Sequence, residues 1–168
     1  MPNSTDRAMN VRTPLGCCRP FGGVWGIQIY SDAWGLYHVP AAETCYVSMP
    51  LITVLNPQAG KGARLESVDV YWYLAAQDLV NLTAFLVQLV LPEQDGLPVR
   101  NYIGFSYDSG NDTAAERRLV KVHKMTLTLD HPAYPVSNDE WYVQFWIEFA
   151  ATTDFAVYGM VGNYVIRD

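Results

Sequence analysis

The stretch LESVDVYWYL (residues 65–74) decides the fold, because its side chains alternate in character. Every second position belongs to an apolar set, namely Val68, Val70, Trp72 and Leu74. The positions between them form a half-polar set, namely Ser67, Asp69, Tyr71 and Tyr73. Successive side chains of a β-strand point to opposite faces, so this pattern predicts a strand with the apolar set in the core.

The stretch WYVQFWIEFA (141–150) repeats the pattern, with Tyr142, Gln144, Trp146 and Glu148 opposite its apolar face. Other β-prone segments follow one another between turn-forming residues: 24–30, 45–54, 101–107, 120–130 and 155–167. The turn signals include SDAWG (31–35) and NPQAGKG (56–62). About eight short strands without a long helix predict an all-β chain with a single jelly-roll-like β-sandwich.

The segment LVNLTAFLVQLVL (79–91) fits two interpretations. Leu79, Leu82, Leu86 and Leu89 form a helical stripe, whereas alternate residues also fit a strand that is buried on both faces. We favour the strand because clear strands lie on both sides of it in the sequence. The following segment TAAERRL (113–119) has the Thr113–Glu116 spacing of a capping box and predicts a helical turn.

Residues 1–20 contain three prolines and little pattern, so we expect an extended N-terminal arm or tail before a sandwich domain at 21–168. The first residues are polar, which predicts no signal peptide and synthesis in the cytoplasm. The odd set Cys17, Cys18 and Cys45 suits free thiols. No segment is long and apolar enough for a predicted membrane span.

The charge of the chain argues against a nucleic-acid partner. Its net charge is −6, and binding to a phosphate backbone depends on lysine and arginine. The main basic cluster is short, and we interpret it as a solvated strand or turn face: Arg117, Arg118, Lys121 and Lys124.

The sequence contains no pattern that predicts a catalytic, cofactor-binding or metal site, and we expect no enzyme. A nucleophile elbow G-x-S-x-G is absent, and the three histidines are dispersed. The cysteines lack the spacing of zinc ligands. The loop DSGND (108–112) offers oxygen atoms that suit Ca²⁺, although Asp, Gly and Asn are also ordinary turn residues.

The aromatic side chains are the candidate functional residues. One core cannot hold all of them, and six stand out: Trp34, Tyr37, Tyr71, Tyr73, Tyr142 and Trp146. Three interpretations stay open: a subunit interface, packing within the monomer, or a platform for a sugar or other small ligand.

Two segments carry a resemblance to known domains, namely GARLESVDVYWYL (62–74) and VYGMVGNYVIRD (157–168). They resemble the strands that open and close small trimeric β-sandwich heads, appendages and decoration domains of phages and bacteria. The resemblance implies structural roles for the matching residues and carries over no functional site. It implies a homotrimer within a larger protein assembly, in a virion or at a cell surface.

We therefore expect a non-enzymatic structural protein that self-associates through its sandwich faces, such as a capsid decoration, tail or fibre-head subunit. The alternative is a carbohydrate-binding module that uses exposed aromatics, with Trp34, Tyr37 and Trp146 as the first choice. Glycans are thus a second class of partner.

Overall fold

The computed structural model describes residues 7–13, 15–30, 33–39, 41–52, 63–75, 79–92, 95–133, 135, 139–150 and 154–166. Their strands form two antiparallel sheets that enclose one core, which confirms the predicted jelly-roll-like sandwich. The strands are β1 (Arg7–Thr13), β2 (Arg19–Phe21), β3 (Trp25–Tyr30), β4 (Ala33–His38), β5 (Thr44–Pro50), β6 (Ala63–Leu74), β7 (Leu79–Val90), β8 (Val99–Ile103), β9 (Phe105–Tyr107), β10 (Lys121–Ala133), β11 (Asp139–Phe149) and β12 (Phe155–Ile166). One short helix, α1, spans Ala114–Arg117.

The seven-stranded sheet has the order β3-β4-β12-β6-β10-β9. Strand β4 pairs with residues 155–157 of β12, and β1 pairs with residues 160–166 of the same strand. The five-stranded sheet has the order β2-β5-β11-β7-β8. The described strands outnumber the eight expected because some are too short to show alternation, such as β2 and β9 with three residues each. The predicted strand 101–107 divides at Gly104, where the chain passes from one sheet to the other.

Part of the turn expected over residues 31–35 is strand. Residues 33–35 belong to β4, and Tyr30 pairs directly with Ala33 across the β3–β4 hairpin. Antiparallel strands need only two residues between them, so the glycine and tryptophan that suggested a turn lie within the strand. The turn predicted at 56–62 lies outside the described residues.

The core contains the faces that alternation predicted. Trp72 of β6 and Phe145 of β11 are fully buried and meet edge to face, with ring centroids 5.6 Å apart. Met125 and Leu127 of β10 complete the same layer. Burial of large apolar side chains from both sheets is the main stabilising term of such a sandwich.

Strand β7 settles the ambiguity of residues 79–91 in favour of a strand. Leu86 belongs to the core cluster, while its neighbour Val87 is also 0% exposed but lies on the opposite face, outside that cluster. A central strand covered on both faces loses the alternation that marks a half-exposed strand, which explains the mixed pattern.

The N-terminal segment pairs with the last strand. Strand β1 runs antiparallel to β12 from Arg7 opposite Ile166 to Thr13 opposite Met160. The Thr13 hydroxyl also donates to the Pro50 carbonyl at 2.7 Å. A domain boundary at residue 20 stays a prediction, but residues 7–13 are part of the sheet. Among the described residues, no helix has the length and apolar character needed to cross a membrane.

The expectation that Arg117 lies on a solvated face is wrong. Its side chain is buried, and its guanidinium donates to the carbonyls of Leu82 (2.9 Å), Asn111 (2.7 Å) and Asp112 (2.9 Å). The same group lies 4.4 Å from the centroid of the Tyr107 ring. Carbonyl oxygens and an aromatic face can stabilise a buried cation. The sequence around Arg117 does not predict them, because folding brings them together.

The helix α1 begins as predicted, with a capping box between Thr113 and Glu116. In the preceding loop, Asp108 Oδ1 accepts from the backbone N–H of Thr126 at 2.9 Å and from Asn111 Nδ2 at 3.1 Å. The Asp108 carboxylate, which suggested a calcium ligand, therefore helps to hold the loop against β10.

Candidate functional site

The outer face of the five-stranded sheet carries a groove with a polar floor. Cross-strand register places Arg19 of β2 beside Ser48 of β5, and Ser48 beside Gln144 of β11. Gln144 Nε2 donates to Ser48 Oγ at 3.3 Å. Cross-strand partners point to the same face of a sheet, so these three side chains form one row perpendicular to the strands. Gln144 and Ser48 retain free hydrogen-bonding capacity towards the groove.

Aromatic rows stand on both sides of this floor. One row joins Phe21, Tyr46 and Trp146, which are successive cross-strand partners. The other row contains Tyr142 and Tyr102, which flank Val87. These two tyrosines explain why Val87 is buried although it faces away from the core. Polar side chains between two rows of rings create a channel that runs across the strands.

The groove has a volume of about 960 Å³ and is open to solvent. Its walls are accessible, since Tyr46 is 41% and Tyr102 is 63% exposed. This volume lies at the upper end of the ~300–1,000 Å³ range of small-ligand sites. The combination of aromatic walls with convergent polar groups is typical of such sites, so the groove is the best candidate for binding.

Charged residues lie at the two edges of the groove. Arg19 lies on β2, and Arg100 lies on β8. A hydrogen bond with Tyr102 raises the pKa of Arg100 above its usual value, and the neighbouring Tyr142 acts in the same direction. Glu140 and Asp139 both line the groove, and Asp139 accepts a hydrogen bond from Gln88 at 2.6 Å. The two residues are adjacent on one strand and the Asp139 side chain is buried, so they do not form the open pair on either side of one bond that hydrolysis requires.

A second aromatic surface lies on the outer face of the seven-stranded sheet. Tyr71 and Tyr73 of β6 lie there with Tyr158, which forms a bulge in β12. Gly159 has φ +123° and permits this bulge, since other residues rarely adopt that conformation. A smaller depression of about 440 Å³ lies beside Tyr71 and Tyr158. Val122 at its rim is 57% exposed.

The six candidate aromatics do not form one site. Tyr142 and Trp146 line the groove, whereas Tyr71 and Tyr73 lie on the opposite sheet. Tyr37 also belongs to the seven-stranded sheet, where its hydroxyl donates to Asp154 Oδ1 at 2.5 Å. Burial is the larger cause that raises the pKa of Tyr37 to about 12, and this hydrogen bond is the second cause. The side chain of Trp34 lies outside the described residues.

Sequence reasoning missed most of the groove, including its floor residues and the following aromatics: Phe21, Tyr46, Phe85 and Tyr102. A signal was present in β5, where Tyr46, Ser48 and Pro50 alternate with the buried Cys45, Val47 and Met49. That alternation predicts an outer face but does not reveal which strand lies beside it.

The buried histidines serve packing. His38 stacks on Phe149 at 4.4 Å, and its Nε2 lies 2.8 Å from Glu43 Oε1. His123 stacks on Trp72 at 4.4 Å, and its Nε2 donates to the Leu119 carbonyl at 2.7 Å. Burial lowers the pKa of His123, which favours the neutral ring.

Cys45, the cysteine closest to His38 in the sequence, is a poor metal ligand. Burial raises the pKa of the Cys45 thiol to about 12, so the thiolate that binds metals is disfavoured. Among the described residues, no group of three or more His, Cys, Asp or Glu side chains could hold a metal ion.

Comparisons with known proteins show distant similarity in structure. No protein-family model matches the chain, and no curated protein matches it. Among solved structures, TmCBM61 in complex with beta-1,4-galactotriose is similar with a TM-score of 0.45 and 8% identity, over 93% of this chain and 92% of that chain. The Agl-KA catalytic domain is similar with a TM-score of 0.40 and 16% identity, over 94% of this chain and 27% of that chain. Neither similarity assigns a function, which must come from the groove itself.

Proposed function

We propose that this chain is a carbohydrate-binding domain that holds a glycan in the groove of the five-stranded sheet. The observation that carries the proposal is the polar floor of Arg19, Ser48 and Gln144 between two aromatic walls. A sugar ring has apolar C–H faces, which pack on aromatic rings, and hydroxyls at its edge, which need hydrogen-bonding partners. The groove supplies both kinds of contact within one channel.

The proposal assigns binding without catalysis to the groove. Hydrolysis of a glycosidic bond needs two carboxyl groups that flank it. Among the described lining residues, Glu140 and Asp139 are adjacent in sequence, and Asp139 is engaged with Gln88. The arrangement thus supports recognition of a glycan rather than its hydrolysis.

Affinity electrophoresis of the native chain tests this function. The gels contain β-1,4-galactan, xylan, mixed-linkage β-glucan or homogalacturonan, and a gel without polysaccharide is the control. We expect at least one polysaccharide to retard the protein, because each polysaccharide chain offers many internal sugar units that can occupy the groove. Unchanged mobility in every gel, together with no signal on a broad glycan array, would contradict the proposal.

A second candidate function is a subunit of a larger assembly. It is favoured by the outer face of the seven-stranded sheet, where Val122 is largely exposed beside Tyr71 and Tyr158. Exposed apolar patches of this kind mark surfaces that meet another protein. A homotrimer would bury this face in every subunit and could form a virion decoration, tail or fibre-head part, or a cell-surface assembly.

Light scattering at micromolar concentration tests the assembly proposal. A trimer would have a mass of roughly three times the 18.9 kDa of the single chain. We expect Val122→Lys to return such an oligomer to the monomer, because a charge cannot be buried there without a partner. The exposed Ile27 on β3 provides the matched control Ile27→Lys. A native chain that is strictly monomeric would rule out this second function.

A further inference from the structure

The rows of the groove run across the strands, and their direction constrains the shape of a ligand. Phe21, Tyr46 and Trp146 are neighbours on three successive strands of the sheet. The polar row of Arg19, Ser48 and Gln144 lies two residues away along the same strands. Residues two apart on a strand are separated by roughly 7 Å, which leaves room for one row of ligand between the walls.

The groove crosses the whole width of the sheet. Its lining residues come from β2 at one edge to β8 at the other, with β11 in the middle. Five strands at about 4.8 Å spacing give a length of about 19 Å. Both ends lie at edge strands of the described sheet, so a linear ligand can continue beyond each end without meeting another strand.

The contacts repeat along this direction. Each step from one strand to the next brings a further wall residue or floor residue: Arg19 and Phe21 on β2, Tyr46 and Ser48 on β5, Gln144 and Trp146 on β11, and Phe85 on β7. Phe85 is held against Tyr102 by an edge-to-face contact at 5.8 Å. A ligand that uses these contacts must itself repeat, with an apolar face and a polar edge in every unit.

We infer that the groove binds an internal stretch of an unbranched glycan, with about four sugar units laid perpendicular to the strands. The inference rests on the proposed function and names the form of ligand that the same site takes. One pyranose unit of an extended chain advances by about one inter-strand step, about 5 Å. Successive units therefore meet successive strands, with ring faces on the aromatic walls and hydroxyls on the polar floor. A single terminal sugar would leave most of these contacts unused.

Calorimetric titration with fragments of defined length tests this inference. The probes are the monosaccharide, disaccharide, tetrasaccharide and hexasaccharide of β-1,4-galactan, xylan, mixed-linkage β-glucan and homogalacturonan. We expect affinity for the recognised glycan to rise at least about tenfold from disaccharide to tetrasaccharide, and to change little beyond it. If the monosaccharide binds as tightly as the tetrasaccharide, the inference is wrong while the proposed function stands. If no fragment and no polysaccharide binds, the proposed function itself fails.

The variant Phe21→Ala gives a second, position-specific test. Phe21 lies at the β2 end of the groove and is 54% exposed, so its removal should not disturb the core. We expect about fivefold weaker binding of the tetrasaccharide and hexasaccharide but unchanged binding of the disaccharide, which can sit at the centre. Ile27→Ala removes a similarly exposed side chain from the other sheet and should change nothing. Equal loss for all lengths, or no loss for any, would overturn the assignment of the β2 end.

Discussion

Replacing Arg117 with methionine is expected to lower the free energy of unfolding by about 3 kcal/mol. The methionine side chain is unbranched like the stem of arginine but donates no hydrogen bond, so the carbonyls of Leu82, Asn111 and Asp112 each lose their charged donor. The contact with the Tyr107 ring also loses its cation. Buried carbonyls without a donor each cost about 1–3 kcal/mol, which makes this one of the most damaging changes outside the core.

Urea denaturation followed by fluorescence measures the effect. A loss of this size corresponds to a shift of roughly 1.5 M in the urea midpoint at a typical slope. The neighbouring Arg118→Met is the matched control, since the Arg118 bonds to Ala114 and Val80 are exposed to solvent. We expect that control to lose less than about 1 kcal/mol. Similar midpoints for the two variants would show that the three carbonyls do not depend on Arg117.

Local alternation was sufficient to predict the core of the sandwich. Val70 and Trp72 of β6, and Val143 and Phe145 of β11, are all fully buried. A period of two assigns each side chain to a face whatever its partner strand is, so no knowledge of pairing was needed. The same argument explains why β7, buried on both faces, remained ambiguous until its neighbours were known.

The groove could not be predicted in the same way, because it depends on pairing between distant segments. Trp146 becomes part of a wall only because Tyr46, a hundred positions earlier, pairs with it. Alternation placed Tyr71 and Tyr142 on outer faces alike, although the two residues lie on opposite sides of the sandwich. The register between strands is set by the complete core, and the sequence of one strand does not contain it.

Arg117 shows a second limit of the sequence. It belongs to a run of basic residues that looks like a solvated face, and its neighbour Arg118 does remain accessible. The difference comes from carbonyls that folding brings to one point, including that of Leu82 on β7. Charge and spacing alone do not distinguish the two arginines, because backbone acceptors are present at every residue.

Replacing Trp146 with alanine is expected to weaken glycan binding by about 30-fold, or about 2 kcal/mol. Trp146 lies on β11, the middle strand of the five-stranded sheet, so every bound fragment passes over it whatever its length. Tryptophan offers the largest apolar ring face in the groove, and central aromatic residues dominate the energy of binding sites. Because the side chain lies outside the core, the melting temperature should fall only slightly.

The matched control is Tyr71→Ala, which removes a half-buried ring from the outer face of the opposite sheet. If the groove is the glycan site, this control keeps full affinity while Trp146→Ala loses it, as measured by calorimetry with the retained polysaccharide. The Arg117 variant should show the reverse combination, with lower stability but unchanged affinity at a temperature where it is folded. If Tyr71→Ala loses the affinity instead, the glycan site lies on the seven-stranded sheet, and binding there would compete directly with self-association through the same face.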